Sequence, residues 1–218
     1  MRLPDIFDEV EEDLRADRAR RLLRRYGGLL LVAAVCVLLG VGAFQGWRGW
    51  RARETSRIAN DFLAAMTIAD GAEVARQGAA PGFEKVAIDA NAGYTTLARL
   101  RLAALKADSG DMPDALALWD SVSRDTSADL LLRDLATLRW AMHQIDRGDP
   151  ATIDARLRPL LTQSNPWHAL AQEGEALLAL RRGDDTAARE SLKRLAQDAT
   201  APDGVRGRAN GLLSRLGG

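Results

Sequence analysis

Ala103-Ala-Leu-Lys-Ala-Asp-Ser-Gly110-Asp111-Met-Pro113-Asp-Ala115-Leu-Ala-Leu-Trp119 reads as a helix, a tight turn and a second helix. Gly110 ends the first helix because glycine enters the left-handed conformation cheaply. Pro113 sits at the start of the second, where a missing N–H costs nothing. The same layout returns at Gly148-Asp149 and Gly183-Asp184, separated by 38 and 35 residues. A period of this size marks stacked helix hairpins.

Counting from each glycine gives the packing. Seven residues before it stand Ala103, Ala141 and Ala176; five after it stand Ala115, Ile153 and Ala188. Small residues at most of these places let the two helices of a pair approach closely. Nine after it stand Trp119, Leu157 and Leu192, large enough to pack into the next pair. These spacings resemble the tetratricopeptide repeat. The bulky aromatic usual in the first helix is replaced by Arg99, Thr137 and Gln172, so the repeats are divergent, the middle one most of all. Asn165-Pro166-Trp167 reads as an N-cap followed by a first turn, and residues 203–216 as a capping helix.

In such repeats the first helix of each pair lines the concave side. Its candidate groove positions are Leu97, Leu100 and Ala104; Leu135, Leu138 and Met142; Leu170, Glu173 and Leu177. Eight of these nine are apolar, which fits a groove for a partner helix or an unfolded segment. The competing reading is that residues 55–92 of the same chain fill it.

Upstream, Arg51–Asp70 is helical in pattern, with Ile58, Phe62 and Met66 spaced by four. Gly71–Gly82 reads as a loop or weak helix, with Gly78 and Ala79-Ala-Pro-Gly82 as breakers. From Phe83 the pattern is helical again, with Asn91-Ala-Gly93 a candidate interruption. Sustained alternation of β-branched and polar residues is absent.

Before this lies an uncharged stretch from Gly27 to Trp47. As a helix it spans about 30 Å, the thickness of a bilayer's hydrocarbon core. Arg24, Arg25 and Tyr26 close one end, and Trp47, Arg48, Trp50, Arg51 and Arg53 the other, as suits the two headgroup zones. The preceding segment is long and acidic, unlike that of a cleaved signal peptide. Six arginines (15, 18, 20, 21, 24 and 25) precede the span and four (48, 51, 53 and 57) follow it, favouring a cytoplasmic N-terminus. The tail runs from acids to arginines, as a helix macrodipole prefers. Leu3, Phe7, Val10 and Leu14 share one stripe, for solvent or for a docking partner. The expected organisation is a tail at 1–26, a transmembrane helix at 27–47, connecting helices at 48–92 and a repeat domain at 93–218.

With 30 basic and 30 acidic residues the chain has no net charge to attract nucleic acid. Its single cysteine, Cys36, lies in the span, so the domain has neither a disulfide nor a thiol nucleophile. His143 and His168 lack partners at ligand spacing and read as packing or surface residues. No catalytic residue, metal site or cofactor is expected.

The whole layout joins an acidic-then-basic tail, one span and a small divergent repeat domain. Within it stand Tyr94-Thr-Thr-Leu97-Ala98, Ala115-Leu-Ala-Leu-Trp119, Asn165-Pro-Trp167, Ala171-Gln-Glu173 and Arg206-Gly-Arg208-Ala209. This resembles the ancillary subunit family of the SecYEG translocon. The resemblance implies an all-α, single-pass protein of the bacterial inner membrane with a periplasmic tetratricopeptide-like domain. It further implies as partners the SecYEG translocon, a membrane-anchored periplasmic chaperone of the peptidyl-prolyl isomerase-like type, and exported polypeptides. A scaffold for envelope biogenesis or cell division is the alternative expectation.

Overall fold

The computed structural model describes the backbone of residues 6–71, 76–90 and 92–217, with side chains from 28 onward except at 30, 34, 77 and 92. The expected tail stripe and Asn91 lie outside the described residues. The chain divides into two compact units, Met1–Ser56 and Arg57–Gly218.

Helix α1 (Ile6–Ala69) contributes to both units. It runs without a break from Ile6 through the apolar span to Ala69, with no proline to interrupt it. Among the described residues it is the one helix long and apolar enough to cross a membrane, its 18-residue apolar window having a mean hydropathy of 1.6. In the first unit, Leu29, Leu31, Val32, Val37, Leu38 and Leu39 are all exposed. At 100° per residue these positions surround the helix, so it has no polar side to offer water. At its far end the Arg51 guanidinium lies 4.0 Å from the Trp47 ring centroid, an interfacial cation–π pair.

The second unit begins in the last turns of α1. Ile58 and Ala65 bury themselves with Phe83 and Val86 of α2 (Ala80–Asp89) and with Ala98 and Leu102 of α3 (Ala92–Asp108). Phe62 meets Phe83 edge-on at 5.6 Å between ring centroids. A short 3-10 turn, Gln77–Ala79, leads into α2, which therefore starts three residues before the expected Phe83. Pro81 falls in the first turn of α2, where proline starts a helix rather than breaking it. Gly82 allows the close crossing: a Cβ there would lie 2.9 Å from the Ala65 Cβ.

Three helix pairs follow: α3 with α4 (Met112–Arg124), α5 (Leu130–Gln144) with α6 (Pro150–Leu157), and α7 (His168–Arg181) with α8 (Asp185–Gln197). Helix α9 (Asp203–Arg215) caps the stack, laying Val205 and Ala209 against Leu192 and Leu195. Ala103, Ala141, Ala176, Ala115, Ile153, Ala188 and Leu192 are fully buried, and Trp119 and Leu157 nearly so. The alanine and isoleucine positions are thus the contact lines within each pair.

Two of the three turns are closed as expected. Gly110 and Gly183 take φ of 86° and 74°. The next amide then reaches back, Asp111 N–H to the Lys106 carbonyl at 2.8 Å and Asp184 N–H to the Ala179 carbonyl at 3.0 Å. Gly148 does not adopt the left-handed conformation, which corrects the expectation for the middle turn. There Arg181 of α7 supplies the missing donors, its Nη1 lying 2.6 Å from the carbonyl oxygens of both Ile145 and Gly148. A side chain at position 148 would be crowded for another reason: its Cβ would lie 2.9 Å from Gln144 Oε1 and 3.0 Å from the Gln144 carbonyl.

The middle pair departs further. Helix α6 has only eight residues and passes into a 3-10 turn, Arg158–Leu161, at Pro159. Arg156 compensates across the stack. Its Nη2 donates to Asp120 Oδ1 of α4 at 2.5 Å, and its guanidinium lies 3.9 Å from the Trp140 ring centroid on α5. Asn165 caps two residues early: its Oδ1 accepts from the Trp167 N–H at 2.9 Å, while α7 starts at His168.

Candidate protein-binding groove

The nine expected groove residues lie on α3, α5 and α7, and five of them meet. Leu135, Leu138 and Met142 of α5 occupy one stripe, since residues three and four apart share a helix face. They line a cavity of about 310 Å³ together with Leu170 and Glu173 of α7. Leu138 and Glu173 are 3% and 4% exposed, so they form its floor rather than a free surface. The cavity sits at the low end of the range for ligand pockets, room for a few side chains rather than a folded partner.

Three further residues complete the lining: Arg139 of α5, Trp167 at the head of α7, and Arg208 of α9. The wall around Trp167 is fixed by hydrogen bonds. Its indole Nε1 donates to the Leu131 carbonyl at 3.0 Å, and Asn165 Nδ2 donates to Asp134 Oδ2 at 2.8 Å. Gly174 lets α7 approach α5 and α6, because a Cβ there would meet Met142 Sδ at 3.0 Å and Leu157 Cδ1 at 3.3 Å. Arg208 Nε and Nη2 donate to the two oxygens of Glu173 at 2.6 and 2.7 Å. That pairing holds Arg208 still more firmly protonated than a free arginine.

The other four expected residues lie elsewhere. Leu97 is exposed on α3 and Leu100 packs beside Ala103 and Trp119. Ala104 lines a separate cavity of about 250 Å³ that also includes Phe83, Arg76 and Arg101. Leu177 packs into the core shared by α5, α6 and α7. No described residue of 55–92 lines the groove between α5 and α7. Their apolar side chains are spent on Ala98 and Leu102 of α3 instead.

Helical spacing does not place Arg139, Trp167 or Arg208 among the groove residues. A signal existed for the last: Arg208 follows Glu173 by 35 residues, one repeat length, the spacing at which neighbouring pairs touch. The histidines stand apart from the groove. His143 stacks on Trp119 with ring centroids 4.7 Å apart, and burial, with Arg139 adding to it, lowers its pKa from the usual 6.5. Among the described residues no group of three His, Cys, Asp or Glu side chains could hold a metal ion.

A family model described as a tetratricopeptide repeat-like domain matches residues 20–207. The ancillary SecYEG translocon subunit of Escherichia coli (strain K12) is 31% identical over 190 residues, covering 86% of this chain and 87% of that one. No solved structure matches. The match takes in the expected span as well as the repeats, and the repeat contact positions are buried throughout. The chain belongs to the tetratricopeptide repeat-like family and is a homologue of that translocon subunit.

Proposed function

We propose that this protein is a non-enzymatic, single-pass inner-membrane protein that serves as an ancillary subunit of the SecYEG translocon. Its N-terminus faces the cytoplasm, as the arginine asymmetry around the span favours. Its repeat domain then lies in the periplasm, where it assists the hand-over of exported polypeptides to a membrane-anchored chaperone. The observation that carries this reading is an open, mostly apolar groove between α5 and α7, in a chain whose N-terminal span provides an anchor. The E. coli relative, similar over nearly its whole length, supports the choice of the translocon as neighbour. A groove this small binds weakly by itself. The anchor offsets that by keeping the local concentration of partners high.

The test is site-specific photo-crosslinking in intact membranes from a probe replacing Leu135. Crosslinks to translocon subunits, exported chains or a periplasmic chaperone are expected. Crosslinks confined to peptidoglycan-synthesis or division proteins would overturn the reading in favour of an envelope scaffold. A reporter fused after Gly218 tests orientation separately, and activity only inside the cell would remove the periplasmic assignment.

A further inference from the structure

We infer that the groove selects among apolar segments by charge, taking those that carry an acidic side chain and rejecting those that carry a basic one. This rests on the groove reading above and adds what decides its preference. The lining is apolar at Leu135, Leu138, Met142, Trp167 and Leu170, and charged at Arg139, Glu173 and Arg208. The charges are not equally available. Glu173 is buried, and both its oxygens already accept from Arg208. It has little left to offer a lysine. Arg208 is different: its side chain is 55% exposed, and only Nε and Nη2 face Glu173. A guanidinium carries five N–H donors in a planar fork. The Nη1 edge therefore remains for a second carboxylate. Arg139 is exposed and has no ion-pair partner among the described residues.

The lining therefore carries one positive charge net, two guanidinium groups against one carboxylate. An apolar segment entering with an acid neutralises that charge beside the apolar wall. One entering with a lysine adds a third cation to a space of about 310 Å³. Apolar contact supplies the attraction common to both, and the arginines supply the difference. A nucleic acid does not fit this chemistry, since the lining is mostly apolar and the whole chain has no net charge.

The test uses the full chain in nanodiscs and three fluorescently labelled peptides. They share one apolar sequence and differ at a single central position, Glu, Gln or Lys. Binding is read by anisotropy. The Glu peptide is expected to bind about five- to tenfold more tightly than the Lys peptide, the range that one or two half-exposed ion pairs give. The gap should shrink at high salt. Arg139→Glu should reverse or abolish the order while leaving the Glu173–Arg208 pair in place, and circular dichroism verifies its fold. Equal binding of the Glu and Lys peptides, or tighter binding of the Lys peptide, overturns the inference and leaves the groove reading standing. Failure of all three peptides to bind removes both.

Discussion

Arg208 on α9 grips both carboxylate oxygens of Glu173 on α7, at 2.6 and 2.7 Å, across one repeat length of chain. The pair joins the capping helix to the groove floor. Its two halves are unlike: the Glu173 side chain is 5% exposed and that of Arg208 is 55% exposed. A buried carboxylate left without its partner is costly, whereas a well-packed apolar replacement of both groups is often harmless. Arg208→Leu is therefore expected to destabilise the repeat domain by about 1–3 kcal/mol, less than for a fully buried pair because water already screens the arginine. The double variant Glu173→Leu/Arg208→Leu should recover most of that loss. Thermal unfolding followed by circular dichroism checks both: no loss in Arg208→Leu would show that the pair contributes nothing to the docking of α9, and a double variant no better than the single would show that the unpaired carboxylate is not the cause of the loss.

The crossing of α1 and α2 depends on a missing methyl group. A Cβ at Gly82 would lie 2.9 Å from the Cβ of Ala65, closer than real Cβ atoms come, and Ala65 is 2% exposed. Gly82→Ala gains some helix propensity but must push the two helices apart around Phe83. The net expectation is a loss of about 1 kcal/mol or more. Gly82→Ala combined with Ala65→Gly restores the clearance and should regain part of it. A stabilised Gly82→Ala variant would show that the helices separate freely here.

Much of this architecture is legible in the sequence because its determinants are local. Ala103, Ala141 and Ala176 mark helix crossings, since only small side chains fit there, and they recur at fixed distances from a turn glycine. Gly110 and Gly183 announce their turns because the left-handed cap lies on the glycine itself. The middle turn is not legible for the opposite reason. Its cap comes from Arg181, more than thirty residues downstream, and an arginine reaching across a stack leaves no local pattern. The groove divides the same way. Leu135, Leu138 and Met142 follow from helical spacing, but whether such a stripe stays open depends on what else the chain lays over it. Phe83 and Val86 cover Ala98 and Leu102 of α3, a choice of partner that periodicity does not encode. Glu173 was expected on an exposed surface, and it is buried because Arg208 arrives from a different helix.

His143 gives the domain a mild acid sensitivity. Its imidazole stacks on Trp119 at 4.7 Å, and partial burial lowers its pKa, Arg139 acting in the same sense and Asp108 against it. The folded value lies below the unfolded value of about 6.5, so between the two the unfolded chain binds more protons. Stability contributed by the neutral ring is whole above about pH 6.5 and is lost as pH falls through that window. An NMR titration of His143 is expected to show a midpoint below that of a free histidine. His143→Gln should reduce the loss of thermal stability between neutral pH and about pH 5.5. A His143 midpoint at or above 6.5 would contradict the partial desolvation of the stacked ring.

Leu38 tests the anchor most directly. Its side chain is 71% exposed, with Leu29, Leu39 and Val41 similarly open on other sides of the same helix. An apolar cylinder of this kind suits lipid, so a charge at its centre is expected to raise the cost of insertion by about 3 kcal/mol. Leu38→Arg is expected to move a substantial share of the protein into the alkaline-carbonate-soluble fraction. Leu131→Arg, at a position 43% exposed on α5, introduces the same charge outside the span and should leave extraction unchanged. Full retention of the Leu38→Arg protein in the membrane pellet would place the anchoring contact somewhere other than this helix.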